Sequence, residues 1–333
     1  MLGYLVRRFG YMAVTVALVS IVAFVLIELP PGDYVTSMIS ELEAQGTIVD
    51  AELAENLRAR YGLNRPVHVR YWVWVSGIVL RGDFGWSFAY RQPVSALIWE
   101  RFALTIAVTS SSILFTWVVA IPIGIFSAVK QYSVFDYIAT IFGFLGLAIP
   151  NFMFALVLMW FAFDFLGINV TGLFSPEYQD ASWSFAKFFD LLSHIWVPMI
   201  VLGTAGTAGL IRTLRANLLD ELRKPYVTTA RSKGLKFVRV LLKYPVRIAL
   251  NPFVSGLAFV FPALISGAAI TAIVLNLPTI GPLLLSSLRS QDMYLAGSII
   301  LLLSTLTVVG VFVSDLLLAA IDPRIRYTGR KSI

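Results

Sequence analysis

Residues able to do covalent chemistry are scarce in this chain. Cysteine is absent, which removes thiol nucleophiles, disulfides and cysteine-ligated metal sites. The two histidines, His68 and His194, lie far apart in sequence and outside any HExxH-like ligand spacing, so they read as interfacial side chains in preference to a metal site. No GxSxG elbow presents a serine for nucleophilic attack. No GxxxxGK run offers backbone amides and a lysine to a triphosphate. What does stand out is Tyr226 to Arg247, YVTTARSKGLKFVRVLLKYPVR, which carries six basic residues (Arg231, Lys233, Lys236, Arg239, Lys243, Arg247) and no acid. Such a stretch can hold an anionic surface or a protein partner, and it catalyses nothing by itself.

The elements that must position it are apolar. Of the 333 residues 58% are hydrophobic and only 14% charged, and the mean hydropathy is +0.80, far beyond what a soluble core requires. The composition is that of a membrane protein. Crossing ~30 Å of hydrocarbon takes about 20 helical residues. Six runs meet that length: Phe9–Leu29, Leu104–Val129, Tyr137–Phe163, Ile195–Leu219, Pro252–Leu275 and Met293–Ile321. The first is read as a retained span and not a signal peptide, because it ends in Glu28-Leu29-Pro30-Pro31 without a small-residue cleavage pattern.

Basic residues near span ends stay in the cytoplasm. Arg7 and Arg8, Lys130, the cluster from Arg212 to Arg247, and Arg324, Arg326, Arg330 and Lys331 all agree on one side, while Asp164–Ser193 carries Asp164, Glu177, Asp180 and Asp190 against Lys187. Both termini are therefore expected in the cytoplasm. The expected organisation is a first span over 1–29, an extracytoplasmic subdomain over 30–101, a five-helix core over 102–321 containing a cytoplasmic loop at 220–250, and a tail over 322–333.

Within that loop the pattern reads as two short helices meeting at Gly234. Pro225 fits a first helical turn, Gly234 can adopt the left-handed conformation that closes a helix, and Pro245 breaks the second helix before Asn251-Pro252. Composition leaves a second reading open, a basic amphipathic pair lying on anionic lipid.

Order of residues adds what composition lacks. Glu221 followed by Tyr226-Val227-Thr228-Thr229-Ala230-Arg231-Ser232-Lys233-Gly234-Leu235, then Arg247-Ile248-Ala249-Leu250-Asn251-Pro252, resembles the coupling loop of ABC importer permeases of the dipeptide/oligopeptide/nickel branch. The resemblance extends over nearly the whole chain, through Leu29-Pro30-Pro31-Gly32-Asp33, Tyr61-Gly62-Leu63-Asn64-Arg65-Pro66, Arg81-Gly82-Asp83-Phe84-Gly85, Ile121-Pro122-Ile123-Gly124, Ile149-Pro150-Asn151-Phe152 and Ile321-Asp322-Pro323-Arg324. It implies an all-α integral membrane protein of six transmembrane helices with the type I ABC importer permease fold. The implied partners are a second, non-identical permease, two ATP-binding subunits that hold ATP and Mg²⁺, an extracytoplasmic solute-binding protein and the bilayer of a bacterial inner membrane. No nucleic acid and no cofactor in this chain are implied.

By the same resemblance, Glu221, Tyr226, Thr229, Ala230, Arg231, Lys233 and Gly234 couple to the ATPases. Ala230 is the small residue at the contact, Tyr226 the apolar anchor and Glu221 its polar partner. Arg231 and Lys233 read equally as ATPase contacts or as lipid-facing snorkels. Pro150 and Asn151 are candidates for lining the path. The chain departs from the family in having Ala272, and Pro278-Thr279-Ile280-Gly281, where an acid and Pro-Gly-Leu-Gly are common, and in an extended Glu41–Ala54 segment. Both bear on the solute, expected to be a peptide or, next, an oligosaccharide, with a nickel-type importer or an ion-coupled secondary carrier as alternatives. Gly143 and Gly146, and Gly203, Gly206 and Gly209, read as close helix packing in preference to a smooth solute path.

Overall fold

A computed structural model describes residues 2–29, 32–45, 51–60, 62–179 and 181–321. Pro30, Pro31, Tyr61, Asp180, part of the Glu41–Ala54 segment and the tail 322–333 lie outside the described residues. The chain divides into two compact units, one of residues 2–105 with 278–309, the other of residues 106–277 with the chain from Gly310 onward.

The first unit contains α1 (Leu2–Glu28), α2 (Tyr34–Ala44), α3 (Ala51–Arg60) and α4 (Val67–Arg81), then β1 (Trp86–Ser87) and β2 (Gln92–Pro93), then the start of α5 (Val94–Val129). The two strands pair antiparallel, Trp86 opposite Pro93 and Ser87 opposite Gln92. This small ribbon is the one departure from an all-helical chain among the described residues. Three acids, Glu28 and Asp33 half-buried and Asp292 buried, tie parts of the unit together. Arg70 grips Glu28 through two nitrogens at 2.8 and 2.5 Å, and Asp33 accepts from the Thr36 amide at 2.8 Å and from Arg58 at 2.9 Å. Burial alone raises the Asp33 pKa, but the Thr36 and Arg58 hydrogen bonds outweigh it and leave the carboxyl below its ordinary value. Asp292 accepts from the Ser87 hydroxyl at 2.6 Å and the Ala89 amide at 3.1 Å.

The second unit continues α5 and adds α6 (Val134–Ala148), α7 (Asn151–Leu166), α8 (Phe185–His194), α9 (Trp196–Leu222), α10 (Pro225–Ser232), α11 (Phe237–Lys243), α12 (Pro245–Ala249) and α13 (Asn251–Val274). Beyond it, α14 (Ile280–Arg289) belongs to the first unit, and α15 (Met293–Ile321) begins there and ends in the second. Among the described residues four stretches are long and apolar enough to cross a membrane: Arg8–Leu26, Val94–Val129, Trp196–Leu222 and Met293–Leu316. The expected fifth run coincides with α13, a helix of 24 residues.

The expected third span, Tyr137–Phe163, is not one helix. It breaks into α6 and α7, bent by 102°. Pro150 has no amide to continue the ladder, and it pushes the residue before it out of the helical region, so Ile149 sits at φ −85°, ψ 121°. Each half, of 15 and 16 residues, is shorter than the roughly 20 that a straight crossing needs.

Helix α9 is the hub of the second unit, packed by α6, α7, α8, α12 and α13. Small residues make this closeness affordable. A Cβ at Gly203 would lie 2.5 Å from the Phe115 ring of α5, one at Gly146 3.2 Å from Thr204, and one at Gly143 3.7 Å from Ala208. The packing reading of these glycines holds, except at Gly209, where a Cβ meets nothing within 4 Å. Where the backbones approach so closely, Thr116 donates its hydroxyl to the Gly203 carbonyl at 2.9 Å. Replacing Gly203 by Val forces Phe115 aside, an overpacking cost of about 1–3 kcal/mol. Gly203→Val is therefore expected to lower Tm in detergent while Gly209→Ala leaves it unchanged, and equal melting of the two by a fluorescence thermal shift contradicts the packing.

Candidate functional site

The basic stretch folds as the hairpin its prolines and glycine dictate. Helix α9 ends at Leu222, Lys224 is extended at φ −70°, ψ 145° as a residue before proline must be, and Pro225 takes the first turn of α10. After Ser232 the chain turns at Gly234, whose φ of 78° lies in the left-handed region expected for it. The Gly234 amide bonds back to the Arg231 carbonyl at 2.9 Å. Helix α11 stops at Tyr244, φ −116°, ψ −78°, and Pro245 opens α12.

The hairpin has a core of its own. Val227, Ala230 and Val240 are buried together, flanked by Tyr226, Leu235 and Tyr244. Ala230, expected at the contact with a partner, is thus turned inward, because α11 folds back over α10 and takes its small residue as the close-packing point. Tyr226 stands edge-on to Tyr244 at 6.4 Å and donates its hydroxyl to the Glu221 carboxylate. Burial, then the hydrogen bond and negative charge of Glu221, raise the Tyr226 pKa, so the phenol stays neutral and remains a donor. Tyr226 and Glu221, both expected at the contact with the ATPase, here bind each other at the hairpin's own root.

What remains outward is Thr228, Thr229, Arg231, Ser232, Lys233 and Gly234, all exposed. Arg231 lies over the Phe237 ring at 5.1 Å, which restricts its guanidinium to one side of the turn. Helix α11 presents a mixed surface, with Val238 and Leu242 exposed beside Arg239 and Lys243. Pro150 and Asn151 belong to a different element, the corner between α6 and α7. Pro150 is exposed there and Asn151 half-buried.

The hairpin is rooted by a larger cluster. Leu241 of α11, Val246 and Ala249 of α12 and Phe253 of α13 are buried with Leu214 and Leu218 of α9 and with Ala120 and Ala128 of α5. Beside it sits an ion pair that the sequence reading passed over. Arg215 reaches Asp136 with Nε at 2.9 Å and a terminal nitrogen at 2.8 Å. The same carboxylate accepts the Ser127 hydroxyl and, at 3.0 Å, the Tyr132 amide. Ser133 in turn caps α6 by accepting from the Asp136 amide at 3.2 Å. The visible signal was a capping serine followed three residues later by an acid, with an arginine inside an apolar helix. Among the described residues no three histidine or acidic side chains group as a metal site would require.

Removing one partner of such a pair strands the other charge, at a cost of about 3–5 kcal/mol when both are buried and less here because Arg215 keeps partial solvent contact. Asp136→Ala is expected to lower Tm strongly, while Asp136→Leu combined with Arg215→Met recovers most of the loss. Thermal unfolding of the purified protein checks this, and a double variant no more stable than Asp136→Ala contradicts it.

Residues 120–327 match the family model described as "Binding-protein-dependent transport system inner membrane component". Residues 1–109 match one described as "Binding-prot-dependent transport system membrane comp, N-term". Similar full-length proteins include the oligopeptide transport system permease protein AppB of Bacillus subtilis, 35% identical over 329 residues that cover 98% of this chain and 100% of that protein. The dipeptide transport system permease protein DppB of Alkalihalophilus pseudofirmus is 30% identical over 341 residues, with 98% and 100% covered. The glutathione transport system permease protein GsiC of Salmonella typhi is 31% identical over 327 residues, again with 98% and 100% covered.

Proposed function

Because this chain belongs to the family of binding-protein-dependent transport system inner membrane components, as a permease of an ABC importer, we propose that it forms half of a path for peptides, driven by separate ATPase subunits that dock on the 220–250 hairpin. Proteins of this family are membrane subunits and generally non-catalytic. ATP and Mg²⁺ belong to the two partner ATPases, a second, non-identical permease completes the path, and an extracytoplasmic binding protein delivers the solute. The chain crosses the inner membrane six times with both termini in the cytoplasm, α6 and α7 together counting as one crossing and α13 as another.

The observation that carries this reading is the construction of the hairpin. Val227, Ala230 and Val240 form a core inside it, its root is packed on α5, α9 and α13, and its tip shows a small polar surface of Thr229, Arg231, Lys233 and Gly234, while Val238 and Leu242 stay exposed along α11. A projection that cannot bend without opening a core transmits displacement applied at its tip. Relatives named for oligopeptide, dipeptide and glutathione transport support a peptide solute. Nothing in those names favours an oligosaccharide. The buried Ala272, in place of an acid, argues against a metal ion.

Gly234 offers a clean test, since a Cβ there meets nothing within 4 Å and only its φ of 78° resists substitution. A β-branched residue costs on the order of 1–2 kcal/mol in that conformation, whereas asparagine tolerates it. In the reconstituted complex with its ATPases and binding protein, Gly234→Val is expected to insert normally and lose solute-stimulated ATP hydrolysis and uptake together, with Gly234→Asn active. If Gly234→Val stays fully coupled while neutralising Lys236, Arg239 and Lys243 abolishes coupling, the stretch is a lipid anchor instead.

A further inference from the structure

Helix α8 is built inside out for a helix facing water. Successive helical residues turn by about 100°, so Phe185, Phe188, Phe189 and Leu192 share one arc roughly 100° wide. All four are exposed, Phe185 at 87% and Phe189 at 65%. Its polar residues are the ones engaged with protein. Lys187 is buried and donates to the Ala181 carbonyl at 2.6 Å and the Gln179 carbonyl at 3.3 Å, with its ammonium 4.8 Å from the Phe174 ring. Asp190 accepts the Ser175 amide and hydroxyl at 2.8 and 2.7 Å. His194 closes the last turn on the Asp190 carbonyl at 2.8 Å.

The polar face thus fastens α8 to the segment before it and leaves the aromatic face uncovered by any of the described residues. That surrounding is constrained by the chain itself. His194 is followed by Ile195 and then by Trp196, where the apolar stretch Trp196–Leu222 begins, so α8 ends at the very boundary of a crossing. Trp183, exposed just ahead of α8, has the amphipathic ring typical of that depth.

We propose that α8 lies in the plane of the outer leaflet's lipid–water interface, with Phe185, Phe188, Phe189 and Leu192 inserted at the acyl boundary. The proposal rests on the transmembrane reading of α9 given above. It also fixes the chemistry of the lipid contact. From Ser182 to Ser193 no exposed residue is charged, so the contact is apolar and needs no anionic headgroup, unlike a basic amphipathic helix. Its role is that of a float, setting the depth and angle at which α9 enters the membrane.

Single cysteines test this without background, the chain having none of its own. Phe188→Cys and Phe189→Cys, with Leu18→Cys on α1 as a mid-membrane control and Glu177→Cys as an aqueous one, are labelled with a small fluorophore in phosphatidylcholine nanodiscs. At Phe188 and Phe189 the expected results are stronger quenching by nitroxides near the headgroup than by nitroxides deep in the chains, several-fold weaker quenching by iodide than at Glu177, and no change when anionic lipid is added. Iodide access at Phe188 equal to that at Glu177 overturns the proposal. If protection then appears only on adding the solute-binding protein, the face belongs to that protein. Failure of Leu18 to respond to deep nitroxides would instead indict the transmembrane reading itself.

Discussion

Asp136 and Arg215 meet at a point where several pieces of backbone must be held at once. The carboxylate takes two of the three guanidinium nitrogens, the Ser127 hydroxyl from the end of α5 and the Tyr132 amide from the connecting turn. It stands in the first turn of α6, capped by Ser133. One acid therefore fixes the exit of α5, the turn and the entry of α6 onto α9. Taking such charges out of water is tolerable only when nearly every lone pair and proton is used, which makes the arrangement specific in geometry. Glu221 lies less than about two turns further along α9, so the position of the hairpin's root is inherited from this pair.

Beyond that point the logic changes from charge to packing. The Leu214 and Leu218 face of α9 is buried against α5, α11, α12 and α13, and the hairpin carries a second, smaller core at Val227, Ala230 and Val240. Glu221 and Tyr226 bridge the two. Close-packed interiors do not deform continuously, so a helix pair built this way moves with α9 or comes apart. Rigidity of this kind is what the proposed coupling to separate ATPase subunits requires, if their work is to reach the helices of this chain.

Much of the hairpin was legible in the sequence because proline and glycine act on their immediate neighbours. Pro225 at the start of α10, Gly234 at positive φ and the break at Pro245 all follow from local sterics. The inward turn of Ala230 was not legible, since it depends on α11 folding back, which is a property of the pair and not of either helix. Asp136 and Arg215 escaped notice because they are 79 residues apart. Counting Arg215 as one more positive charge hid its partner. The corner at Pro150 was missed for a different reason. Hydropathy sums apolar character without direction, and proline is common enough in membrane helices that a break cannot be inferred from its presence alone. The outward aromatic face of α8 likewise vanished into a loop read only for its charge balance.

The account turns on the hairpin and α9 moving as one body, and a distance between them tests it directly. Arg212 on α9 and Ser232 at the hairpin tip are both exposed, and the absence of native cysteine lets a spin label be placed at each alone. Pulsed dipolar spectroscopy on the reconstituted complex, with and without ATP, then reports the distance in each state. A rigid projection predicts a narrow distribution with the same mean in both states. A distribution that broadens, or a mean that shifts by several ångströms on ATP binding, would show the hairpin flexing at its root and contradict the account.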